Sequence, residues 1–327
     1  MDYVYLIGNG FDRNLGLNTD YKSFYDWYVN EESKHPAIAK LKSEISSNYE
    51  NWSDLEEGIG LYLESIDSVE ETREIHKDLL DALQRYISMQ DKGFSPQKEY
   101  ASDFLTDLFE PYKSLRRNLQ NELKRNIFDR DDHKYLRIIS FNYTETVEKL
   151  LKYTGKEISA GSIGSHVRKL SEIEHIHGFC DPNKGRMALG LDNETQIKNS
   201  ELASSYQVKS RFIKPTYNSL YGEEHHKKCL RWINNASFIC IFGMSMGISD
   251  ESWWHAIGKR LETSEARVLF FYDGGFELRN NNGPEFQEQI DETKDWLISK
   301  FGIENVNDTD IRSRIYISCT KSMFKYT

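Results

Sequence analysis

The amino-acid sequence predicts an α/β protein with a Rossmann-like, mostly parallel sheet and a large helical insertion after its first βα unit. Two observations carry that expectation. Short runs of β-branched and aromatic residues recur along the 327-residue chain, and their apolar character is nearly continuous, as in strands covered on both faces. Between the first two runs, apolar residues instead recur at helical spacing.

The first run, YVYLI at 3–7, leads directly into a glycine turn. Within 75–87, Ile75, Leu79, Leu83, Tyr86 and Ile87 follow helical spacing. The series Phe104, Leu108, Tyr112, Leu115, Leu119, Leu123, Ile127 does so more strongly, with Pro111 expected to kink or restart that helix. A crossover between parallel strands normally needs one helix. Residues 31–130 are therefore read as an inserted helical lobe, with 1–30 and 131–327 forming the Rossmann-like, nucleotide-binding core. The lobe should sit at the carboxyl edge of the sheet, where open α/β folds bind ligands. Further strands are predicted at 136–141, 187–191, 237–242, 267–272 and 314–318. IEHIHG, 173–178, is a shorter and more polar candidate that would point His175 and His177 to one face if extended. The Gly- and Ser-rich stretch 154–169 reads as a loop, and so does 273–286.

Composition narrows the function classes. The chain is 38% hydrophobic, with 19 Tyr, 17 Phe and only 6 Pro, and it has no long low-complexity tract, so order is expected nearly throughout. A net charge of −10 argues against a sequence-blind grip on nucleic acid or an anionic membrane. The most basic run, 113–125, is interrupted by Glu122 and reads as a solvated helix face. Cys180, Cys229, Cys240 and Cys319 are widely spaced, without a C-x-x-C pair for zinc or redox chemistry. Neither a signal peptide nor a membrane span of ~20 apolar residues is visible, and a cytoplasmic setting is expected.

Four places could carry chemistry. Gly8, Gly10 and Gly16 form G-x-G-x5-G behind the first strand, wider than the G-x-G-x-x-G of ordinary dinucleotide folds. The turn reads equally as a phosphate cradle, with amides and a helix dipole aimed at an anion, or as a plain tight turn. Asn142, at the end of the strand 136–141, stands where ligands dock, although Asn142 or Thr144 could simply cap the next helix. His177, with Gly178 beside it, suits a general base or a structural histidine. In FGMSMGISDESWW, Gly243 and Ser245 form a small-residue turn, and Asp250 could bind a ribose hydroxyl or cap a helix.

The order of these signals resembles the NAD-binding core of sirtuins and sirtuin-like bacterial defence effectors, so the fold is expected to have a sirtuin-like core. A closer resemblance is to the AbiH family of bacteriophage abortive-infection proteins. It is carried by LIGNGFDRNLGLNTDYKSF (6–24), NWSDLE (51–56), SFNYTETVE (140–148), HIHG (175–178) and FGMSMGISDESWW (242–254). The resemblance implies a cytoplasmic anti-phage effector with NAD, or a related nucleotide, as ligand or substrate, and hydrolysis of the nicotinamide N-glycosidic bond. Gly8, Asn9, Gly10 and Asp12 would then line the phosphate and ribose region. Asn142 would orient the ribose or the attacking water, and His177 would act as base.

Two departures bear on this. The sirtuin-like Asn-x-Asp is Asn142-Tyr143-Thr144 here, and the zinc-binding cysteine quartet of deacetylases is absent, which disfavours deacetylation relative to hydrolysis. Glu56 could replace the missing carboxylate from the helical insert, or it could be an ordinary acid of a helix's first turn. Tyr21 and Phe24 could wall a base-binding site, with core packing the competing role. The alternative function is a non-catalytic nucleotide- or phage-sensing module acting through a partner protein. A phage trigger and self-association are compatible partners. A nuclease finds little support without a metal-binding carboxylate cluster.

Overall fold

A computed structural model describes residues 1–33, 35–129, 133–163, 166–220, 224–272, 283–305, 308–319 and 323–326. Seven strands form one sheet: β1 (Asp2–Ile7), β2 (Lys134–Ser140), β3 (Ile158–Ile163), β4 (His166–His175), β5 (Phe238–Phe242), β6 (Arg267–Phe271) and β7 (Ile315–Ser318). Their order is β3-β4-β2-β1-β5-β6-β7, and every neighbouring pair is parallel except β3 with β4.

Alternation along the strands explains the continuous apolar runs. Tyr3, Tyr5, Ile138, Phe238 and Leu269 pack on one face with the helices of 104–128, while Val4, Leu6, Ile139, Ile239 and Val268 pack on the other with Trp254, Ile257 and Leu297. Both faces are covered, so both parities are apolar. A third cluster lies off the sheet and joins Phe24, Leu41, Trp52 and Leu79 to Met187, Leu191 and Phe212. Segment 31–130 thus contributes to two cores: its first part packs with residues 180–213, and 104–128 pack on the sheet.

The predicted helix at 75–87 is the centre of a longer one, Val69–Gly93. The series 104–127 is not one helix: Tyr100–Phe109 ends before Pro111, a 3-10 turn spans Pro111–Ser114, Arg117–Leu123 resumes, and a π-turn closes the segment. Proline's missing N–H and fixed φ account for the restart.

Two expectations are corrected. Residues 154–169 are not a loop: 158–163 and 166–169 belong to the β3–β4 hairpin, where pairing to an existing sheet edge outweighs the weak strand propensity of Gly and Ser. MALGL, 187–191, is not a strand of the sheet. It runs beside residue 213 through one isolated parallel bridge, Leu191 to Ile213, and buries its apolar residues in the third cluster. The expected loop at 273–286 falls outside the described residues up to 282, and from Pro284 the chain is helical. Among the described residues no helix is long and apolar enough to cross a membrane.

Candidate functional site

β1 lies between β2 and β5, so the chain leaves β1 toward one side of the sheet and later returns to the other. Such a reversal opens a crevice beyond the carboxyl ends of parallel strands. A cleft of about 920 Å³ lies there. It is walled by Gly8, Asn9, Gly10, Asp12, Glu56, Asn142, His177, Gly243, Ser245 and Asp250, which brings together the sequence-selected candidates other than Gly16 and Phe24. Gly16 is exposed and ends the first short helix at φ 84°, donating its N–H to the Arg13 carbonyl. Tyr21 lines the cleft, whereas Phe24 is fully buried in the third cluster.

The glycine turn is first a packing device. The Gly8 N–H donates to the Phe242 carbonyl at 2.9 Å, and the Gly10 N–H to the Gly243 carbonyl at 2.8 Å. A Cβ at Gly10 would stand 2.5 Å from the Gly243 Cα, so the two turns touch backbone to backbone. Both amides are engaged within the protein, and the following helix, Asn9–Asn14, is only six residues long. The Asn9 amide donates to the Thr19 carbonyl at 3.0 Å and its oxygen accepts from the Thr19 hydroxyl. A Cβ at Gly8 would likewise meet the Met244 sulfur and the Gly243 carbonyl, so the room these glycines leave is taken by the protein itself.

Asp12 is buried beneath it. Its two carboxylate oxygens accept from the hydroxyls of Thr144 and Thr146, both at 2.6 Å. Burial pushes its pKa up to about 6, and the two hydroxyls offset only part of that. Thr144 is therefore not a helix cap. Helix Thr146–Leu151 starts at Glu145, whose N–H is taken by Asp91 of the long helix at 2.9 Å.

Asn142 does not cap either. Its side-chain Oδ1 and Nδ2 are both buried and neither makes a well-formed hydrogen bond, although the amide lies near enough to Asp12 to help hold that carboxyl down, and the residue is 5% exposed. Its backbone is held firmly. The N–H donates to the Ser140 hydroxyl at 3.3 Å, and the carbonyl lies 2.9 Å from Nδ1 of His175. The Nε2 of His175 lies 2.7 Å from Glu148, so both ring nitrogens face acceptors. Burial lowers the affinity of His175 for a proton, but Glu148 more than offsets this and its pKa is raised. Glu148 and His175 thus form a brace behind Asn142.

His177 lies two residues beyond β4 and does not share a partner with His175. Gly178, at φ 76°, lets the chain turn past residue 186: a Cβ there would lie 1.6 Å from the Arg186 carbonyl oxygen. The Nε2 of His177 lies 3.1 Å from Oδ1 of Asp250. Asp250 precedes helix Glu251–Glu262 without capping it. Asp192 supplies the helix's side-chain acceptors instead, taking the N–H and hydroxyl of Ser252 at 3.1 and 2.8 Å.

A lysine that the sequence reading did not select completes the cluster. Nζ of Lys214 donates to Asp250 Oδ1 at 2.8 Å and to Glu56 Oε2 at 2.9 Å, and it lies 3.3 Å from His177 Nε2. The other oxygen of Glu56 accepts the Gly190 N–H at 3.1 Å, so Glu56 is more than a first-turn acid. Helix Leu55–Tyr62, which carries Glu56, is capped by Asp54. Burial raises the Glu56 carboxyl, and Lys214 opposes this without cancelling it. Burial also acts to raise Asp250, but Lys214 and His177 outweigh it and hold that carboxyl well below its usual range. Burial would lower Lys214, yet its two carboxylates raise it. Nothing in RFIKPTYN marked Lys214, because its partners come from segments distant in the chain.

The cleft therefore combines an imidazole paired with a carboxylate, an amide without a well-formed hydrogen bond and a second carboxylate, with the Lys214 ammonium buried behind them. Among the described residues, no group of three or more His, Cys, Asp or Glu side chains is arranged to hold a metal ion. No match was found among curated proteins. A family model described as "Bacteriophage abortive infection AbiH" matches residues 4–272, and the chain belongs to that family.

Proposed function

We propose that this AbiH-family chain acts in anti-phage abortive infection by binding NAD, or a related nucleotide, in the cleft and hydrolysing its nicotinamide N-glycosidic bond. The observation that carries the reading is the Asn142 side chain, buried on the cleft wall beside Asp12 with no well-formed hydrogen bond to either amide atom. Leaving a buried donor and acceptor unpaired costs about 1–3 kcal/mol per group, a cost that a ligand with matching polar groups removes. The cleft volume falls within the range of small-molecule sites.

In this reading His177 accepts a proton from water as its oxygen bonds to C1′ of the nicotinamide ribose. The C1′–N bond breaks with its electron pair going to nicotinamide, and ADP-ribose is the second product of NAD. The transition state resembles an oxocarbenium ion, so orientation by Asn142 and a nearby negative charge count for more than a strong nucleophile. The sirtuin-like core and the separate helical lobe belong to the same proposal.

Purified protein incubated with NAD is expected to release nicotinamide. His177→Ala and Asn142→Ala should each reduce the rate by about a hundredfold or more, within the usual range for a general base. Ligand-dependent thermal stabilisation without release of any nucleobase would replace hydrolysis by sensing through a partner. Absence of both turnover and stabilisation, with NAD and related nucleotides, would overturn the proposal.

A further inference from the structure

We propose that Lys214 is a positioning residue: it clamps Asp250 against Nε2 of His177, so that the imidazole presents Nδ1 to the cleft as its unprotonated nitrogen. The inference rests on the reading of His177 as the base and adds which nitrogen does the work and what selects it.

Lys214 is 6% exposed and is not part of the cleft wall, so it stands behind the reacting groups. Its place is set by the backbone. Its N–H donates to the Leu191 carbonyl at 2.9 Å, beside the Gly190 N–H that holds Glu56.

The two neighbours of Nε2 call for opposite tautomers. A carboxylate has no proton to give, so Asp250 at 3.1 Å needs Nε2 to carry one; an ammonium has no lone pair, so Lys214 at 3.3 Å would need Nε2 bare. Lys214 directs charge-assisted hydrogen bonds at Asp250 and Glu56 over shorter distances, 2.8 and 2.9 Å. A bare Nε2 would set its lone pair against the Asp250 oxygen. The Nε2–H form satisfies Asp250 twice over. Nδ1 makes no hydrogen bond among the described residues and is not among the atoms sealed from solvent. Its lone pair is then uncommitted, and His177 lines the cleft. Without Lys214, Asp250 loses its shorter contact, and nothing holds the carboxylate at Nε2.

The test is a two-bond ¹H–¹⁵N correlation spectrum of the full chain with ¹⁵N-labelled histidine, with His177 assigned by its loss in His177→Gln. The wild type should show the Nε2–H pattern. Glu56→Gln/Lys214→Met removes the ammonium together with one of its two carboxylates, leaving the net charge behind the imidazole unchanged, and should give a mixture of tautomers. If nicotinamide is released, its kcat should fall at least about tenfold in that variant. A wild-type Nδ1–H pattern would overturn the inference without any variant. So would an unchanged Nε2–H pattern in the folded double variant. A wild type that releases no nicotinamide, yet loses its Nε2–H pattern in the double variant, would sink hydrolysis and leave the role of Lys214 standing.

Discussion

Asp12 and Asp250 stand in corresponding places behind adjacent strands, each past a glycine turn and each at the start of a helix, yet their surroundings push them in opposite directions. Asp12 faces two hydroxyls, the Asn142 amide and the Asp91 carboxylate but no cation, and burial raises its pKa to about 6. Asp250 has an ammonium and an imidazole, and its carboxyl is held low. The difference shows that burial alone does not set the charge of a carboxylate; the sign of what faces it does. Asp12 ties the β1 turn to the segment after β2, whereas Asp250 keeps a charge against a histidine on the cleft wall.

The largest effect should come from removing the cation that separates the two cases. Lys214→Met leaves Glu56 and Asp250 as uncompensated buried charges and should cost about 3–5 kcal/mol at neutral pH, read by urea unfolding. Glu56→Gln/Lys214→Met should lose clearly less. Equal losses would mean that the ion pairs do not govern this end of the cleft.

Next comes Asp12. Its folded pKa lies above its unfolded one, so the folded state binds more protons between about pH 4 and 6, and stability falls as pH rises through that window. The change is on the order of 3 kcal/mol. Asp12→Asn, which still offers the threonines a polar partner, should flatten that part of the pH profile. Asp250, with a depressed carboxyl, has the opposite sign: it contributes stability above its unfolded pKa and loses it only as pH falls further. An Asp12→Asn profile parallel to the wild type would erase the contrast.

The smallest effect belongs to the brace behind Asn142. His175 has a raised pKa, so the contribution of its pair with Glu148 is complete below its unfolded value near 6.5 and disappears as pH rises through the folded one. Glu148→Gln should therefore lower the free energy of unfolding, read by urea titration, more at pH 6 than at pH 9, by about 1 kcal/mol. A pH-independent loss would assign Glu148 to packing.

Much of this arrangement was legible in the residues alone. Five of the sheet's strands follow from apolar runs, because strands covered on both faces leave no polar parity. Asn142 was recognisable because it stands just beyond such a run, His177 because a glycine follows it at the end of a more polar candidate strand, and Asp250 because it follows the small-residue turn after 237–242. Helix capping was the simplest alternative for Asn142, Thr144 and Asp250, and it fails at all three because Asp91 and Asp192 supply acceptors at the two helix starts from elsewhere in the fold. Those substitutions are non-local, and no spacing rule reveals them.

By itself, the sequence determined five of the seven sheet-forming segments, the helical character of the stretch after the first strand and the polar residues at the strand ends. Local propensity and periodicity suffice for these, since each depends on neighbours in the chain. Only the tertiary structure decided that Gly10 meets Gly243 backbone to backbone, that the Asn142 amide is left without a well-formed hydrogen bond and that Lys214 sits between Glu56 and Asp250. These depend on which distant groups share a volume closed to water, where an unpaired amide or carboxylate carries a cost that an extended chain never meets.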